Sequence, residues 1–267
     1  MKVAVILPAR LKSTRLPDKL LLQAAGKTIL EHTIARAQEA QQASRGLITR
    51  ILVAADDEKL VKAARRVGAD VVMTDPNHTS GTDRIAEAAR NIPEELVVNL
   101  QADEPEIDPA SVLLVAKMLA ESGETAPMAT LAVAIFDAEE FQKPNIVKLV
   151  VSASGHALYF SRAPIPFVRD AGDQQTWTDG RKMYGLHHLG LYAYRKAFLL
   201  GYKNLPASKL EKLEKLEQLR ALEAGHKIKV GIVASNPPGI DTPEDYQAFL
   251  NRLTTHHSPL TKDHANG

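Results

Sequence analysis

Four cations, Arg10, Lys12, Arg15 and Lys19, fall within ten residues and are interleaved with the hydroxyls of Ser13 and Thr14. Clustered Lys and Arg of this kind suit a polyanion such as a nucleoside triphosphate, the alternative being an ordinary solvated basic loop. Pro8 and Pro17 mark the stretch as a loop, because neither a helix interior nor a central strand tolerates proline well. It directly follows Val3–Leu7, an apolar run short enough to be one buried strand. The carboxyl end of such a strand is where open α/β sheets bind ligands. Neither G-x-x-x-x-G-K-[ST] nor G-x-G-x-x-G occurs, so phosphate binding here would rest on side-chain charge rather than on a glycine cradle.

Two carboxylates are placed to join that loop. Asp103 comes just after the run Val97-Val98-Asn99-Leu100, and Asp241 lies beyond the strand-like segment that ends at Ile232-Val233. Both then sit at the carboxyl edge of a sheet, and magnesium takes one or two protein carboxylates beside phosphate oxygens and water. The plainer roles are a turn aspartate for Asp103 and an N-cap for Asp241. Glu244 and Asp245 read as first-turn partners of a helix dipole. Ser80-Gly81-Thr82-Asp83-Arg84 opens a helix whose N–H groups could meet a base or phosphate, with Thr82 expected to cap it. Arg162 leaves a strand into a proline-rich loop and could clamp a carboxylate. His187 and His188 are neighbours on a strand, so they face opposite ways and cannot chelate one metal.

The elements that must hold these residues alternate along the first half. Helices are expected over Thr28–Gln41, capped by Thr28 with Glu31 three residues on, over Glu58–Val67 up to Gly68, from Ser80 to Arg90, and over Pro109–Glu121. Strands are expected at Arg50–Ala55, Asp70–Thr74 and Leu96–Leu100. Such alternation predicts an α/β fold: a mostly parallel sheet with helices on both faces. Met128–Ile135, Ile146–Val151, Ala157–Phe160 and Leu186–Tyr194 read as longer, partly antiparallel strands, a β-rich extension within about 127–195. The polar segment Asp170–Lys182, holding Trp177, reads as a mobile loop. A charged helix over Lys209–Ala224, a strand over Lys227–Val233 and a helix over Pro243–Leu253 complete a single domain of residues 1–253. The polar tail 254–267 is expected to be disordered. In Leu210, Leu213, Leu216 and Leu219, leucine recurs every third residue, so the stripe drifts by ~60° per step around a helix. The pattern alone therefore leaves Glu217 at the surface.

Composition narrows the classes. The chain has 267 residues, 45% hydrophobic and 24% charged, as in an ordinary globular protein. A net charge of +1 gives no general case for nucleic acid or an anionic membrane. No apolar run approaches the ~20 residues of a membrane span, and Met1–Leu7 is too short for a signal-peptide core. With no cysteine there is no disulfide, thiolate zinc site or thiol nucleophile, and the cytoplasm is the default location.

At these residues the chain resembles the 3-deoxy-manno-octulosonate cytidylyltransferase (CMP-Kdo synthetase) family. The matching segments are Pro8-Ala9-Arg10, Ser13-Thr14-Arg15-Leu16-Pro17, Lys19, Ser80-Gly81-Thr82, Arg84, Gln101, Asp103-Glu104-Pro105 and Met128–Val133. They continue with Ala157–Ala163, His188–Tyr192, Leu216–Arg220 and Asp241–Asp245, in family order over residues 2 to about 253. The resemblance implies a nucleotide-diphospho-sugar transferase fold, a place in lipopolysaccharide biosynthesis, and the reaction of CTP with Kdo to give CMP-Kdo and pyrophosphate. It implies that Arg10, Arg15 and Lys19 hold the triphosphate, with Ala9 in the same binding segment, and that Ser80 and Arg84 help hold the cytidine. It further implies that Asp103 and Asp241 bind Mg²⁺, that Gln101, Arg162, His188, Tyr192, Glu217 and Gln218 surround the acidic eight-carbon sugar, and that the protein is a homodimer joined through the β-rich half. Three positions depart from the family pattern: Asp18 and Ala102 stand in place of glycines, and His187 in place of an arginine. Asp tolerates left-handed backbone, so the turn at Asp18 is expected to survive. Ala102 and His187 bear on which sugar acid is accepted. The alternatives are another acidic sugar (an amino-substituted Kdo or a sialic acid) and a CTP-binding sensor without transfer.

Overall fold

A strand with no polar position is stable only where both of its faces are covered. The computed structural model describes residues 1–256 except 124, 171–175, 177–179 and 236; in it the first apolar run becomes β1 (Val3–Ala9), with Val3 to Leu7 at 0% exposure. The cationic loop follows, with one 3₁₀ turn at Lys19–Leu21. Then come a small ribbon of β2 (Gln23–Ala24) and β3 (Lys27–Thr28), α1 (Ile29–Ala43), β4 (Ile48–Ala55), α2 (Glu58–Arg66) and β5 (Asp70–Met73). The chain continues through α3 (Gly81–Ala89), β6 (Leu96–Asn99), α4 (Pro109–Glu121), β7 (Met128–Ile135), α5 (Ala138–Gln142), β8 (Lys148–Val151), β9 (Ala157–Ser161) and β10 (Gly185–Arg195). It ends with α6 (Lys196–Gly201), α7 (Lys209–Glu214), α8 (Leu219–Glu223), β11 (Ile228–Val233) and α9 (Pro243–His256). No helix among the described residues is long and apolar enough to cross a membrane.

The main sheet runs β11-β7-β10-β6-β1-β4-β5, with β8 added on β10 and β9 on β8. β1, β4, β5 and β6 pair in parallel, β11 pairs in parallel with β7, and β10 is antiparallel to both β6 and β7. Two reversals cancel, so the carboxyl ends of β1, β4, β6 and β11 lie on one edge. Side chains alternate across a strand. Val3, Val5 and Leu7 pack with Ile34, Leu60, Val112 and Phe249 from α1, α2, α4 and α9. Ala4 and Ile6 pack on the other face with Ile85, Leu199 and Leu219 from α3, α6 and α8. The expected mostly parallel sheet with helices on both faces is present.

Local signals account for most boundaries. Thr28 Oγ1 accepts from Glu31 N–H while the Glu31 carboxylate accepts from Thr28 N–H at 2.7 Å, the capping box read from the sequence. Gly68 ends α2 at φ 75°. Asp18 adopts φ 51°, so the turn survives without the family's glycine.

Several expectations are corrected. The loop begins later than the prolines indicated, because Pro8 and Ala9 belong to β1. Leu100 N–H donates to Ile6 O, so Ile6 faces β6. Pro8, two residues on, faces the same way, past the last β6 partner Asn99, and its missing N–H costs no ladder bond. Ser80, not Thr82, caps α3. The short helices α5 and α6 were not foreseen; Asp137 caps α5 through two N–H groups, a signal obscured by the helix being five residues long. α9 runs three residues past Leu253, and most of the Asp170–Lys182 expectation, with Trp177 and the tail from residue 257, lies outside the described residues.

The single helix expected over Lys209–Ala224 is broken. Lys215 is left-handed at φ 54° and separates α7 from α8. A leucine stripe of period three cannot stay on one face of a 3.6-residue helix. The break reconciles it: Leu216 and Leu219 are buried, while Leu213 is left 79% exposed. β9 locks the break, since Ser161 Oγ and Arg162 N–H donate to the Glu214 carboxylate at 2.7 and 2.9 Å, and Arg162 Nε donates to Glu214 O at 2.7 Å. A left-handed non-glycine residue is strained by ~1–2 kcal/mol, partly offset by the greater unfolded-state freedom glycine would bring. Lys215→Gly should therefore raise the unfolding free energy in urea by about 0.5 kcal/mol. A loss of that size would mean that the helix continues through 215.

Candidate active site

The cationic loop is held to the sheet by Leu16 and Leu20, both buried, which turn Arg10, Lys12 and Arg15 outward while Lys19 stays half-buried. Its start is tied by Leu11 N–H donating to Asp56 Oδ1 at 2.9 Å. Asp57 caps α2, which frees Asp56 for this contact. The second Asp56 oxygen accepts from Arg84 at 3.2 Å, and Arg84 also donates to Thr74 Oγ1 at 2.6 Å. Arg84 thus braces the ends of β4 and β5 against the loop. It is 3% exposed overall and still lines the cavity described next.

At the carboxyl edge, Lys19 Nζ lies 2.5 Å from Asp103 Oδ2 and 2.8 Å from Asp241 Oδ1, and Arg15 pairs with the other Asp241 oxygen at 2.9 Å. Burial opposes the Lys19 charge, yet Asp103 and Asp241 more than offset it and raise its pKa. Burial likewise opposes ionisation of Asp241, but Lys19 and Arg15 hold its carboxyl below the usual range. Thr242, not Asp241, provides the cap of α9: its Oγ1 accepts from Asp245 N–H, and the Asp245 carboxylate accepts from Asp241 and Thr242 N–H. Asp241 is thereby free to face the loop. Burial, then the adjacent Asp103, push the Glu104 carboxyl up to about 8, so it is mostly neutral at pH 7.

Two cavities meet here. The larger, about 290 Å³, is lined by Arg10, Lys12, Arg15, Lys19, Asp103 and Asp241 on one side and by Ser80, Gly81, Arg84 and Gln101 on the other. The smaller, about 150 Å³, shares Gly81 and Gln101 with it and continues along Asn99, Tyr192, Tyr194, Tyr202, Glu217 and Gln218. Tyr192 stands directly opposite Asn99 in the β10–β6 register, which places it at the carboxyl end of β6. Glu217, left at the surface by its sequence pattern, turns inward because the chain breaks at Lys215. The larger cavity has a surplus of positive charge, and among the described residues Glu217 is the one charged side chain on the smaller.

The donor set suits a hard divalent cation. Carboxylate oxygens from Asp103 and Asp241 both reach a single point, now the Lys19 ammonium, and oxygen pairs of this kind leave the remaining positions of an octahedron to phosphate and water. Among the described residues no group of three or more His, Asp or Glu forms a fuller metal cage.

Three sequence candidates lie apart from both cavities. Ala9 is wholly buried in the core. Arg162 spends its guanidinium on Glu214 O, Pro144 O and Lys215 O. His188 is buried behind Tyr192, edge-on to Phe160, with Nε2 at 3.0 Å from Thr130 Oγ1. His187 points the other way, toward Glu140 at 4.0 Å. The sequence reading missed Asp56, Asn99, Tyr194 and Tyr202; the doubled acid Asp56-Asp57 after a strand was the one available signal, since a cap needs only one.

A model of the cytidylyltransferase family matches residues 4–228. Over 251 residues the chain is 45% identical to the 3-deoxy-manno-octulosonate cytidylyltransferase of Tolumonas auensis, covering 92% of this chain and 95% of that one. It is 44% identical over 256 residues to the 8-amino-3,8-dideoxy-manno-octulosonate cytidylyltransferase of Shewanella woodyi, with 95% and 99% covered. The solved structure of a CMP:2-keto-3-deoxy-manno-octonic acid synthetase complexed with CTP matches with a TM-score of 0.86 at 36% identity, over 96% of this chain and 100% of that one.

Burial pushes the His188 imidazole down to about 3, with His187 adding to the effect. The Thr130 hydroxyl donates to Leu189 O or Leu191 O, so a neutral His188 donates from Nε2 to it. Below the ordinary value of 6.5 the unfolded chain gains a proton that the folded chain refuses, and stability falls toward pH 3. His188→Gln should remove about 1 kcal/mol per pH unit from the slope of unfolding free energy between pH 6.5 and 5. Equal slopes in the two proteins, measured by urea unfolding, would contradict the neutral assignment.

Proposed function

The chain belongs to the 3-deoxy-manno-octulosonate cytidylyltransferase family, and on that premise we propose how its two cavities divide the reaction. The reaction transfers CMP from CTP to the acid sugar Kdo and releases pyrophosphate. The observation that carries the assignment of roles is the meeting of Arg15, Lys19, Asp103 and Asp241 at a cavity that shares Gly81 and Gln101 with a second, tyrosine-walled one.

In this reading the larger cavity takes CTP. Arg10, Arg15 and Lys19 bind the triphosphate and offset the charge that grows on the departing pyrophosphate. Ser80, at the start of α3, and Arg84 face the cytidine side. The smaller cavity takes the sugar between Gln101, Tyr192, Glu217 and Gln218, so that its hydroxyl meets the α-phosphorus in line with the leaving oxygen. His188 supports Tyr192 from behind, and Arg162 fixes the turn that carries Glu217 or, on releasing a carbonyl, reaches the sugar carboxylate. Asp103 and Asp241 would hold Mg²⁺, whose chemistry when bound is to polarise the α-phosphate and lower the pKa of the attacking hydroxyl. Retention of both aspartates beside the cationic loop weighs against a sensor that binds CTP without transfer.

An amino-substituted Kdo is the second reading, favoured by the 44% identity to the Shewanella woodyi relative and by the Glu217 carboxylate in the smaller cavity, which would suit an ammonium group. The same proposal makes the protein a cytoplasmic enzyme of lipopolysaccharide biosynthesis and a homodimer joined through the strands of 127–195, where Leu158 and Phe167 leave 61% and 86% of their surface exposed.

Pyrophosphate release with CTP, Mg²⁺ and a panel of Kdo, 8-amino-Kdo and a sialic acid tests the substrate, with Kdo expected to be fastest; turnover of none of them would favour the sensor. Asp103→Asn and Asp241→Asn should each lower Mg²⁺-dependent release by about a hundredfold or more while leaving the thermal midpoint within a few degrees. Undiminished release in either variant would remove that residue from the metal site.

A further inference from the structure

Ser80 caps α3 by accepting from Asp83 N–H at 3.1 Å, and this leaves the Thr82 hydroxyl free of that task. Thr82 is 5% exposed, and its Oγ1 donates to Glu217 Oε2 at 2.9 Å, across 135 residues of chain. Among the described residues it is the donor that meets that carboxylate. The Glu217 main chain is held separately, its carbonyl accepting from Tyr202 Oη–H at 2.8 Å. Backbone and side chain of one residue are therefore fixed from two different elements, on the wall of the smaller cavity.

The need for such a donor is electrostatic. Burial pushes the Glu217 carboxyl up, and Asp83 and Glu211 push it further, against the Thr82 hydroxyl and Arg220. Arg220 is itself committed to Glu211 through two bonds of 2.7 Å. A partly buried carboxylate that loses its hydroxyl donor loses both its aim and part of the stabilisation of its charge. Ser80 and Gly81 line the larger cavity, whereas Gly81 and Thr82 line the smaller. Three consecutive residues at the start of one helix thus face both compartments.

We propose that Thr82 is a positioning residue: it aims the Glu217 carboxylate into the acceptor pocket and thereby fixes the acceptor wall to the same helix start that forms the nucleotide wall. Thr82 has this role only if the smaller cavity takes the acceptor, as proposed above. It acts on acceptor recognition, through Glu217, and leaves recognition of CTP to the loop and the carboxyl edge.

Steady-state pyrophosphate release, with the acid sugar and CTP varied in turn, tests this on Thr82→Val, Thr82→Ser, Glu217→Gln and the double variant Thr82→Val with Glu217→Gln. Thr82→Val should raise KM for the sugar on the order of tenfold and leave KM for CTP within about twofold, while Thr82→Ser, which keeps the hydroxyl, stays near the parent. The double variant should be no worse than Glu217→Gln, because the two groups act as one unit. Thr82→Ala gives the same comparison if Thr82→Val does not fold. The proposal is overturned if Thr82→Ser is as impaired as Thr82→Val, if both KM values rise together, or if the two substitutions multiply. Glu217→Gln without effect on the sugar KM would instead overturn the acceptor-pocket reading, whereas an impaired Glu217→Gln beside a silent Thr82→Val overturns the role of Thr82 alone.

Discussion

One ammonium group between two carboxylates organises this site. Lys19 is separated from Asp103 by 84 residues and from Asp241 by 222, yet it touches both. The ion pairs do not bring those segments together. Partly exposed pairs are worth too little for that, and Asp241 is half exposed. The work is done by strand direction. β10 is reversed against β6 and against β7, so β11 emerges on the same edge as β1 and β6, and a residue after each strand is delivered to one place. The charges then select the local arrangement of side chains that are already neighbours.

The edge is also where electrostatics divides into two regimes. Around Lys19 a surplus of cations faces two carboxylates, with Glu104 largely neutral at pH 7 because of burial and Asp103. A polyanion with an associated cation suits that balance. A few residues away, beyond Gln101 and Gly81, the wall becomes tyrosine and amide with the Glu217 carboxylate. Burial pushes the Tyr192 and Tyr194 hydroxyls far above their ordinary range, so they serve as neutral hydrogen-bonding groups. A group-transfer enzyme needs its two substrates in different surroundings and their reacting atoms adjacent, and here the start of α3 and the Gln101 turn are common to both walls.

Supporting roles account for Arg162 and His188, two of the three candidates that stand outside the cavities. Arg162 and Glu214 stabilise the left-handed turn at Lys215, and that turn is what carries Glu217 inward. His188 fills the space between Phe160 and Tyr192 and is bonded to Thr130. Residues of this kind sit in motifs with those that line the cavities, so a motif alone does not separate the two roles.

Much of the fold could be read directly from residue order. Apolar runs, the Thr28–Glu31 capping box, Gly68 and the alternation of periods indicated an α/β fold with a mostly parallel sheet, and placed Arg15, Lys19, Asp103 and Asp241 just after strands, because these are properties of short segments. What tertiary structure alone decided was long-range. Ser80 rather than Thr82 caps α3, and the Thr82 hydroxyl instead meets Glu217, a partner 135 residues away that no local pattern contains. Whether Glu217 faced solvent depended on a left-handed Lys215 held from β9, which no helical projection contains. Asp56 gained a role only when the loop from β1 and the helix carrying Arg84 closed over it. Local chemistry fixes what a segment prefers; which of two satisfied partners a polar group takes is set by what packing brings within three ångströms.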